Sequence, residues 1–507
     1  MPVRPPTVEE LQEIAESFGL TLSGADLASF RGLILPLLES YREVERMAEP
    51  PLLPVKYPRT PGRRPTPEEN PYNAWYWRCE INGAPEGPLA NRTVAIKDNV
   101  CVAGVPMMNG SATLEGYVPE VDATIVTRIL DAGGTILGKA VCEDLCFSGG
   151  SFTPHTGPVL NPRDPSRQAG GSSCGSAALV AAGAVDLATG GDQGGSIRIP
   201  SCWSGIVGHK PTYGLVPYSG IFPIELTLDH AGPMGANVRD VAVLLEVLAG
   251  RDGLDPRQPA EVPTERYSET LTGNLQGVRV GIVEEGFGWE GLSEPEVDEV
   301  VRDAAHRLEK AGATVSDVSV PLHRKGMHIW NAVIIEGATE LMVKGNAMGS
   351  NWKGFYTTTL LDNYGQGLKT RANDLSETVK LVVLLGEYLH RNYGGRHYAK
   401  GQNLVHTLRQ AYDAAMEEAD VLVMPTLPLR PTPIPPPDVS REEYCARALE
   451  MIPNTAPFDA SGHPAITVPC QPPGTLPVGM MIIGRHMADG QVLRVAGAFE
   501  EQVGGFS

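Results

Sequence analysis

The stretch GGSSCGSAALVAAGAVDLATGGDQGGSIRIPSCWSGIVGHKPT, residues 170–212, decides the fold because two glycine- and serine-rich turns flank an alanine-rich segment in it. The alanine-rich segment, residues 176–183, is predicted to be a helix because alanine has the highest helix propensity. A short strand is predicted to follow near residues 185–188. A helix that leads directly into a buried strand is typical of α/β proteins.

Short apolar runs, which are typical of buried strands, continue on both sides of this stretch. They lie at residues 93–96, 135–137, 278–283, 420–424, 466–468 and 478–483. Helical periodicity between them predicts helices at residues 122–130 and 490–501. Because strands alternate with helices, the predicted fold class is α/β, with helices on both faces of the sheet.

The chain is predicted to contain four regions. It begins with two amphipathic helices, of which the first has the capping box Thr7-x-x-Glu10. A connector with eight prolines between Pro50 and Pro71 follows, since proline fixes φ and lacks an amide donor. The regions are an N-terminal extension with connector at 1–90, a core at 91–292, a mostly helical insertion at 293–418, and the rest of the core at 419–507. The capping box Ser293-x-x-Glu296 is predicted to begin the first helix of the insertion.

Composition excludes several classes of function. The 41 Lys and Arg residues against 60 Asp and Glu give a net charge of −19, which argues against a nucleic-acid partner. No apolar run reaches the length of a membrane span, and no signal peptide is seen. Eight cysteines in 507 residues indicate a reducing cytoplasm. Cys142-x3-Cys146 lacks a second ligand pair, so neither a metal nor a cofactor is expected.

The second glycine-rich turn, residues 190–196, suits acyl chemistry. Glycines allow consecutive backbone amides to turn toward one point, where they can bind the oxyanion of a tetrahedral intermediate. Ser196 ends this turn and is placed to attack the same carbonyl. A tight turn with a solvated serine is the alternative. The phosphate-binding motifs G-x-x-x-x-G-K-[ST] and G-x-G-x-x-G are absent from both turns.

A nucleophilic serine needs a base. His155, His209 and His230 lie in no recognised arrangement with a serine, and the G-x-S-x-G nucleophile elbow is absent. Lys97 ends an apolar strand and is the alternative, although a lysine at such a place is often a surface cation. A lysine in a poorly solvated site loses its proton more readily, and Ser-Lys pairs are known variants of the serine hydrolase plan.

These motifs together resemble the amidase signature family. The resemblance rests on residues 170–212, on VAIKDNVCVAGVPMMNGS at 94–111, on ADVLVMPTLP at 419–428 and on FDASGHPAITVP at 458–469. It implies the amidase-signature fold with a mixed central sheet. The stretches NPYNAWY, KAVCEDLCFSGGSFTP and MIPNTAPFD are similar to bacterial broad-specificity amidases of nitrile pathways.

The resemblance implies a Ser-cisSer-Lys triad, in which Ser196 is the nucleophile, Ser172 the bridge after a cis peptide bond, and Lys97 the base. It also implies an oxyanion hole and a supporting hydrogen-bond shell. The implied oxyanion donors are the amides of Gln193, Gly194, Gly195 and Ser196, and the implied shell is Ser173, Asp192 and Arg198. Cys174 departs from the family, which usually has glycine there, and its bulk lies beside the triad.

The implied substrate is a carboxamide or a related anilide, carbamate or ester. By resemblance an apolar pocket for the acyl group is lined by Phe147, Ile224, Leu228, Trp330 and Ile452, although each also suits an ordinary core. A homodimer is implied as well. Two alternatives stay open: a glutaminase component of a tRNA-dependent amidotransferase, and a catalytically inactive binding protein.

Overall fold

The computed structural model describes residues 3–506 of the chain. It divides into two compact units, with the division between Leu52 and Leu53. The first unit contains helices α1 (Val8–Ser17) and α2 (Gly24–Arg46). The capping box at Thr7 and Glu10 is confirmed, since the Thr7 side chain accepts the Glu10 amide and the Glu10 side chain accepts the Thr7 amide.

The second unit is built on one mixed sheet of eleven strands, with a separate two-stranded ribbon, β4 and β5. The strand order in the large sheet is β1-β3-β2-β6-β8-β7-β12-β13-β11-β9-β10. Its middle strands are buried along their whole length, which explains their uninterrupted apolar or glycine-rich sequences. The strands are β1 (Trp75–Asn82), β2 (Thr93–Lys97), β3 (Thr135–Ala140), β4 (Leu160–Asn161), β5 (Asp164–Gln168), β6 (Leu187–Asp192), β7 (Val207–Lys210), β8 (His230–Gly235), β9 (Arg279–Val283), β10 (Thr314–Val318), β11 (Val421–Pro425), β12 (Ala465–Pro469) and β13 (Gly479–Ile483).

Helices flank this sheet, so the predicted α/β fold class is confirmed. They are α3 (Thr124–Asp131), α4 (Cys174–Ala181), α5 (Arg198–Ser204), α6 (Val238–Leu248), α7 (Pro295–Arg307), α8 (His323–Ala338), α9 (Thr358–Arg371), α10 (Glu377–Tyr393), α11 (Arg396–Glu418), α12 (Arg441–Leu449), α13 (Ala456–Ser461) and α14 (Asp489–Val503). Among the described residues, no helix is both long enough and apolar enough to cross a membrane.

The topology brings the two glycine-rich turns together. Strands β2 and β6 are parallel neighbours, so their carboxyl ends meet at one edge of the sheet, where α/β proteins place their sites. Lys97 is the last residue of β2, and Asp192 is the last residue of β6. Helix α4 begins directly after the first turn and α5 directly after the second. Each turn therefore leads directly into the first residue of a helix, and the second turn also follows directly on strand β6.

The structure differs from the predicted regions at three places. Strand β1 lies within the predicted N-terminal region 1–90 but pairs with β3 in the large sheet. Strand β10 lies in the predicted helical insertion and pairs in parallel with β9, so this insertion is joined to the sheet. Helix α7 begins with Pro295 after Glu294, and the predicted capping box at Ser293 is not formed; the Ser293 hydroxyl instead accepts the Trp289 amide.

Candidate active site

Lys97 lies at the centre of the site and is fully buried. Its Nζ donates to Ser172 Oγ at 2.8 Å and to the carbonyl of Gly191 at 3.3 Å. The neighbouring Asp98 does not compete for this amine, because its carboxylate forms an ion pair with Lys139 at 3.0 Å. Lys97 is therefore oriented toward a serine hydroxyl in an environment without bulk water.

Ser172 follows a cis peptide bond, Gly171–Ser172. The turn is held from both sides, since the Gly171 amide donates to Gly149 and the Ser172 carbonyl accepts the Glu143 amide at 3.1 Å. Only glycine fits at position 171, because a Cβ there would overlap the carbonyl oxygen of Gly150. The sequence of the first turn thus fixes where the Ser172 hydroxyl lies.

Ser196 ends the second turn and is 7% exposed. Within the described part of the chain, its hydroxyl has no hydrogen-bond partner, so it is free for a substrate. The two turns are in contact, since the Ser173 amide donates to the Ser196 carbonyl at 3.3 Å. The Ser173 hydroxyl also exchanges hydrogen bonds of 3.3 Å with the amide and the carbonyl of Gly191. The structure therefore brings Lys97, Ser172 and Ser196 to one place.

Asp192 holds the second turn in shape. Its Oδ1 accepts the Gly195 amide at 2.6 Å, and its Oδ2 accepts the Ile197 amide at 3.0 Å. Because the Gly195 amide is used in this way, it is not free to donate to a substrate, contrary to what the resemblance implies. The amides of Gln193, Gly194 and Ser196 have no such partner in the described chain.

Asp192 is in turn fixed by Arg198, whose Nε and Nη2 each lie 3.0 Å from its carboxylate. Burial raises the pKa of Asp192, but the charge and hydrogen bonds of Arg198 outweigh burial and hold it well below its usual range. Arg198 also donates to Asp459 Oδ2 at 2.7 Å and to the Thr455 carbonyl at 3.0 Å. This fully buried network makes the turn a rigid scaffold for Ser196.

A small pocket with a volume of about 30 Å³ opens in front of Ser196. Four of the five predicted pocket residues line it: Phe147, Ile224, Trp330 and Ile452. Leu228 is not among the lining residues, and it is buried in the core with its carbonyl accepting His230 Nδ1 at 2.7 Å. Sequence reasoning missed other lining residues, which are Cys146, Ser148, Gly149, Ile199, Ile334 and Leu449. We call this set of lining residues, together with Gln193, Gly194 and Ser196, the apolar pocket.

Trp330 joins the apolar pocket to the second turn. Its indole Nε1 donates to the Gln193 carbonyl at 2.7 Å. The Thr455 hydroxyl donates to the next carbonyl, that of Gly194, at 2.6 Å. Each of these hydrogen bonds fixes the peptide unit that its carbonyl belongs to, and the amide of the same peptide unit is fixed with it. Thr455 and Asp459 belong to motifs that the sequence analysis quoted, but no spacing rule pointed to these two residues.

Cys174, where the family usually has glycine, is accommodated without disturbing the triad. Its thiol is fully buried and lies 3.5 Å from the Val141 carbonyl and 3.9 Å from Glu143 Oε1. Burial raises the pKa of Cys174 well above its usual value, so this thiol stays protonated and is a poor nucleophile. Burial also raises the pKa of Glu143 to about 7, against the opposing hydrogen bonds of Ser148 and Thr153.

Of the three histidines considered as bases, His155 is exposed, and His209 and His230 have other partners. His209 Nε2 lies 2.9 Å from Asp489 Oδ1. His230 Nδ1 contacts the Leu228 carbonyl, and burial lowers the pKa of His230 well below its usual value. Among the described residues, neither histidine contacts Ser196. Lys97, in contrast, contacts Ser172 Oγ directly.

Three potential metal ligands, Asp413, His463 and His486, come together elsewhere in the fold. Both ring nitrogens of His463 already have partners, because Nε2 lies 3.1 Å from Asp413 Oδ1 and Nδ1 lies 2.9 Å from the Ser461 hydroxyl. His486 Nε2 contacts the Ser461 carbonyl at 2.9 Å. Hydrogen bonds within the protein account for this cluster.

Comparisons with known proteins agree with this geometry. The family model described as Amidase matches residues 67–493. An enantioselective amidase of Rhodococcus rhodochrous is 48% identical over 99% of this chain and 96% of its own length. A component of the glutamyl-tRNA(Gln) amidotransferase of Methanosarcina mazei is 37% identical over 82% of this chain and 85% of its own length.

Solved structures give the same result for the fold. The native peptide amidase from Stenotrophomonas maltophilia superimposes with a TM-score of 0.69 and 27% identity, over 83% of this chain and 84% of that one. The resemblance seen in the motifs is thereby confirmed. The chain belongs to the amidase signature family, and it is an amidase, a hydrolase of amide bonds.

Proposed function

We propose that the protein hydrolyses hydrophobic carboxamides through a Ser196–Ser172–Lys97 triad and an acyl-enzyme. The observation that carries the proposal is the 2.8 Å hydrogen bond between Lys97 Nζ and Ser172 Oγ in a buried site, beside a serine whose hydroxyl faces a pocket. In a Ser-Lys pair the lysine takes the proton of the serine during acylation.

The mechanism has two halves. Lys97 Nζ takes the proton of Ser172 while Ser172 takes that of Ser196, and Ser196 Oγ attacks the amide carbonyl. The protons return through Ser172 to the leaving nitrogen, the C–N bond breaks, and ammonia or an amine departs. Water then attacks the acyl-enzyme by the same relay, releasing the carboxylic acid and restoring Ser196.

The oxyanion of each tetrahedral intermediate is bound by backbone amides. Gln193, Gly194 and Ser196 supply the donors in this proposal, and Gly195 acts indirectly through its bond to Asp192. Preorganised donors of this kind are worth about 10²–10³ in kcat each. The hydrogen bonds from Trp330 and Thr455 to the carbonyls of the same turn support this preorganisation.

The apolar pocket favours hydrophobic acyl groups. Its side walls are aromatic and aliphatic, with Phe147, Trp330 and Ile452 facing the space in front of Ser196. Such a pocket discriminates by only roughly 1–3 kcal/mol per methylene, so we propose a broad range of alkyl and aryl amides, extending to anilides, carbamates and esters. Glutamine, the donor expected of an amidotransferase, would have to bury its polar head in this pocket.

The test is the substitution Ser196→Ala, with Ser201→Ala as a matched control. Ser201 is also buried, and its hydroxyl lacks a hydrogen-bond partner in the described chain, so its removal leaves the site intact. Release of ammonia from benzamide is measured in both variants. We expect activity to disappear in Ser196→Ala and to persist in Ser201→Ala. Turnover by Ser196→Ala at the rate of the control would remove the nucleophile assignment.

A further inference from the structure

The second turn, residues 190–196, contains four glycines in seven residues. Glycine leaves the backbone more conformational freedom than any other residue, so the amides of this turn stay in place only where side chains anchor it. Asp192 is one anchor, since its carboxylate accepts the Gly195 and Ile197 amides. Gln193 has the longest side chain of the turn, and this side chain reaches a second anchor.

The second anchor is the hydroxyl of Tyr218. Gln193 Nε2 donates to this hydroxyl at 2.9 Å, and each of the two residues is only 3% exposed. Because both side chains are buried, removal of one partner leaves the other without a water molecule to replace it. The hydrogen bond therefore holds the Gln193 side chain in one place.

Tyr218 is itself held by its backbone and by its ring. Its amide donates to Asp255 Oδ2 at 2.9 Å. The Arg257 guanidinium lies 4.7 Å from the centre of the Tyr218 ring, as in a cation–π contact. Arg257 also forms an ion pair with Asp255 at 2.6 Å. The hydroxyl thus has a fixed position from which to bind the Gln193 side chain.

The same hydroxyl connects the second turn to the loop after Lys97. It donates to the Phe222 carbonyl at 3.4 Å, and the Phe222 amide donates to the Asn99 carbonyl at 2.8 Å. Asn99 follows the end of the strand that carries Lys97. A chain of hydrogen bonds through Tyr218 therefore joins the turn of Ser196 to the loop that follows Lys97.

Two bonds at the Gln193 Cα are restrained from outside the turn. The Cα–C bond is restrained because Trp330 Nε1 donates to the Gln193 carbonyl at 2.7 Å. The Cα–Cβ bond is restrained because Tyr218 holds the end of the side chain. Since the bond angles at Cα are nearly fixed, the direction of the Cα–N bond follows from the other two. The backbone amide of Gln193 is held in this way.

We propose that Tyr218 is a positioning residue for amide hydrolysis, which keeps the Gln193 amide directed at the oxyanion by holding the Gln193 side chain. Tyr218 is not among the residues that line the apolar pocket, so it acts through Gln193 and not on the substrate. The inference rests on the proposed function, because that function makes the Gln193 amide an oxyanion donor.

The effect of Tyr218 belongs to the transition state and not to substrate binding. The oxyanion exists only in the tetrahedral intermediates of acylation and deacylation, so a misdirected donor slows both halves of the reaction. Tyr218→Phe is expected to lower kcat about tenfold, which is less than the 10²–10³ lost when an oxyanion donor is removed outright. KM for benzamide is expected to change less than about twofold.

Tyr213→Phe is the matched control. The Tyr213 hydroxyl donates to the Leu226 carbonyl at 2.7 Å, and Arg257 lies 5.4 Å from the centre of the Tyr213 ring. The substitution therefore also removes a bonded hydroxyl from a tyrosine beside Arg257. We expect the two variants to lose a similar part of their thermal stability, and only Tyr218→Phe to lose kcat.

A double-mutant cycle tests whether Tyr218 acts through Gln193. Gln193→Met keeps the backbone amide and the approximate length of the side chain but removes the donor to Tyr218. If the two side chains act as a unit, Gln193→Met, Tyr218→Phe and the double variant lower kcat by the same factor. Losses that multiply in the double variant would overturn the inference, because the two residues would then act independently.

The experiment measures kcat and KM for benzamide in the wild type and these variants, with thermal unfolding as the check of folding. An unchanged kcat in Tyr218→Phe would overturn the inference. So would a rise in KM at constant kcat, which indicates a role in substrate binding, or an equal loss of kcat in Tyr213→Phe, which indicates a general structural effect.

Ser196→Ala, measured in the same series, separates this inference from the proposed function. An inactive Ser196→Ala beside a fully active Tyr218→Phe would overturn the role of Tyr218 and leave the triad in place. Hydrolysis of benzamide by Ser196→Ala would contradict the proposed function, whatever kcat Tyr218→Phe shows.

Discussion

Two buried carboxylates share the guanidinium of Arg198, and their pKa values are shifted in opposite directions. Arg198 Nη2 lies 3.0 Å from Asp192 Oδ1 and 2.7 Å from Asp459 Oδ2, and all three side chains are fully buried. The pKa of Asp192 is lowered, because the effect of Arg198 exceeds that of burial. Burial and the neighbouring charge of Asp192 raise the pKa of Asp459 well above its usual value. Asp459 is therefore the more readily protonated of the two carboxylates.

The isosteric substitutions Asp192→Asn and Asp459→Asn should then differ in cost. Asp192→Asn leaves the Arg198 cation buried without a counter-charge, which costs about 3–5 kcal/mol of unfolding free energy. Asp459→Asn leaves Asp192 as the counter-charge of Arg198, so mainly one hydrogen bond is altered, and the cost is about 1 kcal/mol. Asp192→Asn is also expected to lower kcat, because the Gly195 amide loses a charged acceptor.

The assay is urea unfolding at pH 7, followed by tryptophan fluorescence, with kcat measured on benzamide. The pH dependence of the unfolding free energy gives a second test of Asp192. Since the pKa of Asp192 lies below its usual value of 3.8 in the folded protein, its stabilisation is present above that pH and is lost as pH falls further. An Asp459→Asn variant that is as unstable as Asp192→Asn would refute the assignment of Asp192 as the main counter-charge of Arg198.

Three further outcomes are expected. Lys97→Ala should lower kcat by orders of magnitude, because the amine that contacts Ser172 Oγ at 2.8 Å is then missing. A variant that keeps the wild-type rate would point to another base. The pKa of Glu143 is raised from 4.5 to about 7 in the folded protein. As pH rises through this range, the wild type should therefore lose up to about 3 kcal/mol of unfolding free energy relative to Glu143→Gln. Unfolding free energies of the two proteins that change in parallel with pH would contradict this. Ile452→Ala should reduce the ratio of kcat/KM for a hydrophobic amide to kcat/KM for acetamide by the equivalent of about 1–3 kcal/mol. Leu228→Ala should destabilise the fold and leave this ratio unchanged.

The sequence predicted the fold where local pattern and tertiary structure agree. The turns around Ser172 and Ser196 are rich in glycine because close backbone contacts require it, as at Gly171. The strands ending at Lys97 and Asp192 are buried on both faces and therefore uniformly apolar or small. The positions of Lys97 and of the second turn at the ends of these strands could thus be predicted from the sequence.

Other features could not be predicted, because they depend on contacts between distant segments. Strand β1 follows a proline-rich connector, and its pairing with β3 is a tertiary contact without a local signal. The use of the Gly195 amide by Asp192 depends on a side-chain rotamer. Leu228 is as apolar as the residues that line the pocket, and its place in the core is decided by the packing around it. The position of the Cys146 sulfur depends on two residues with positive φ.

The proposed mechanism depends above all on Ser196 Oγ forming the acyl-enzyme. Mass spectrometry can detect this species directly, after rapid acid quenching of the enzyme during turnover of a hydrophobic ester and peptide mapping of the acyl group. We expect an acyl adduct on the peptide that contains Ser196, its absence from Ser196→Ala, and no adduct at Ser172 or Cys146. An acyl group found on any other residue, or an adduct that persists in Ser196→Ala, would contradict the role assigned to Ser196.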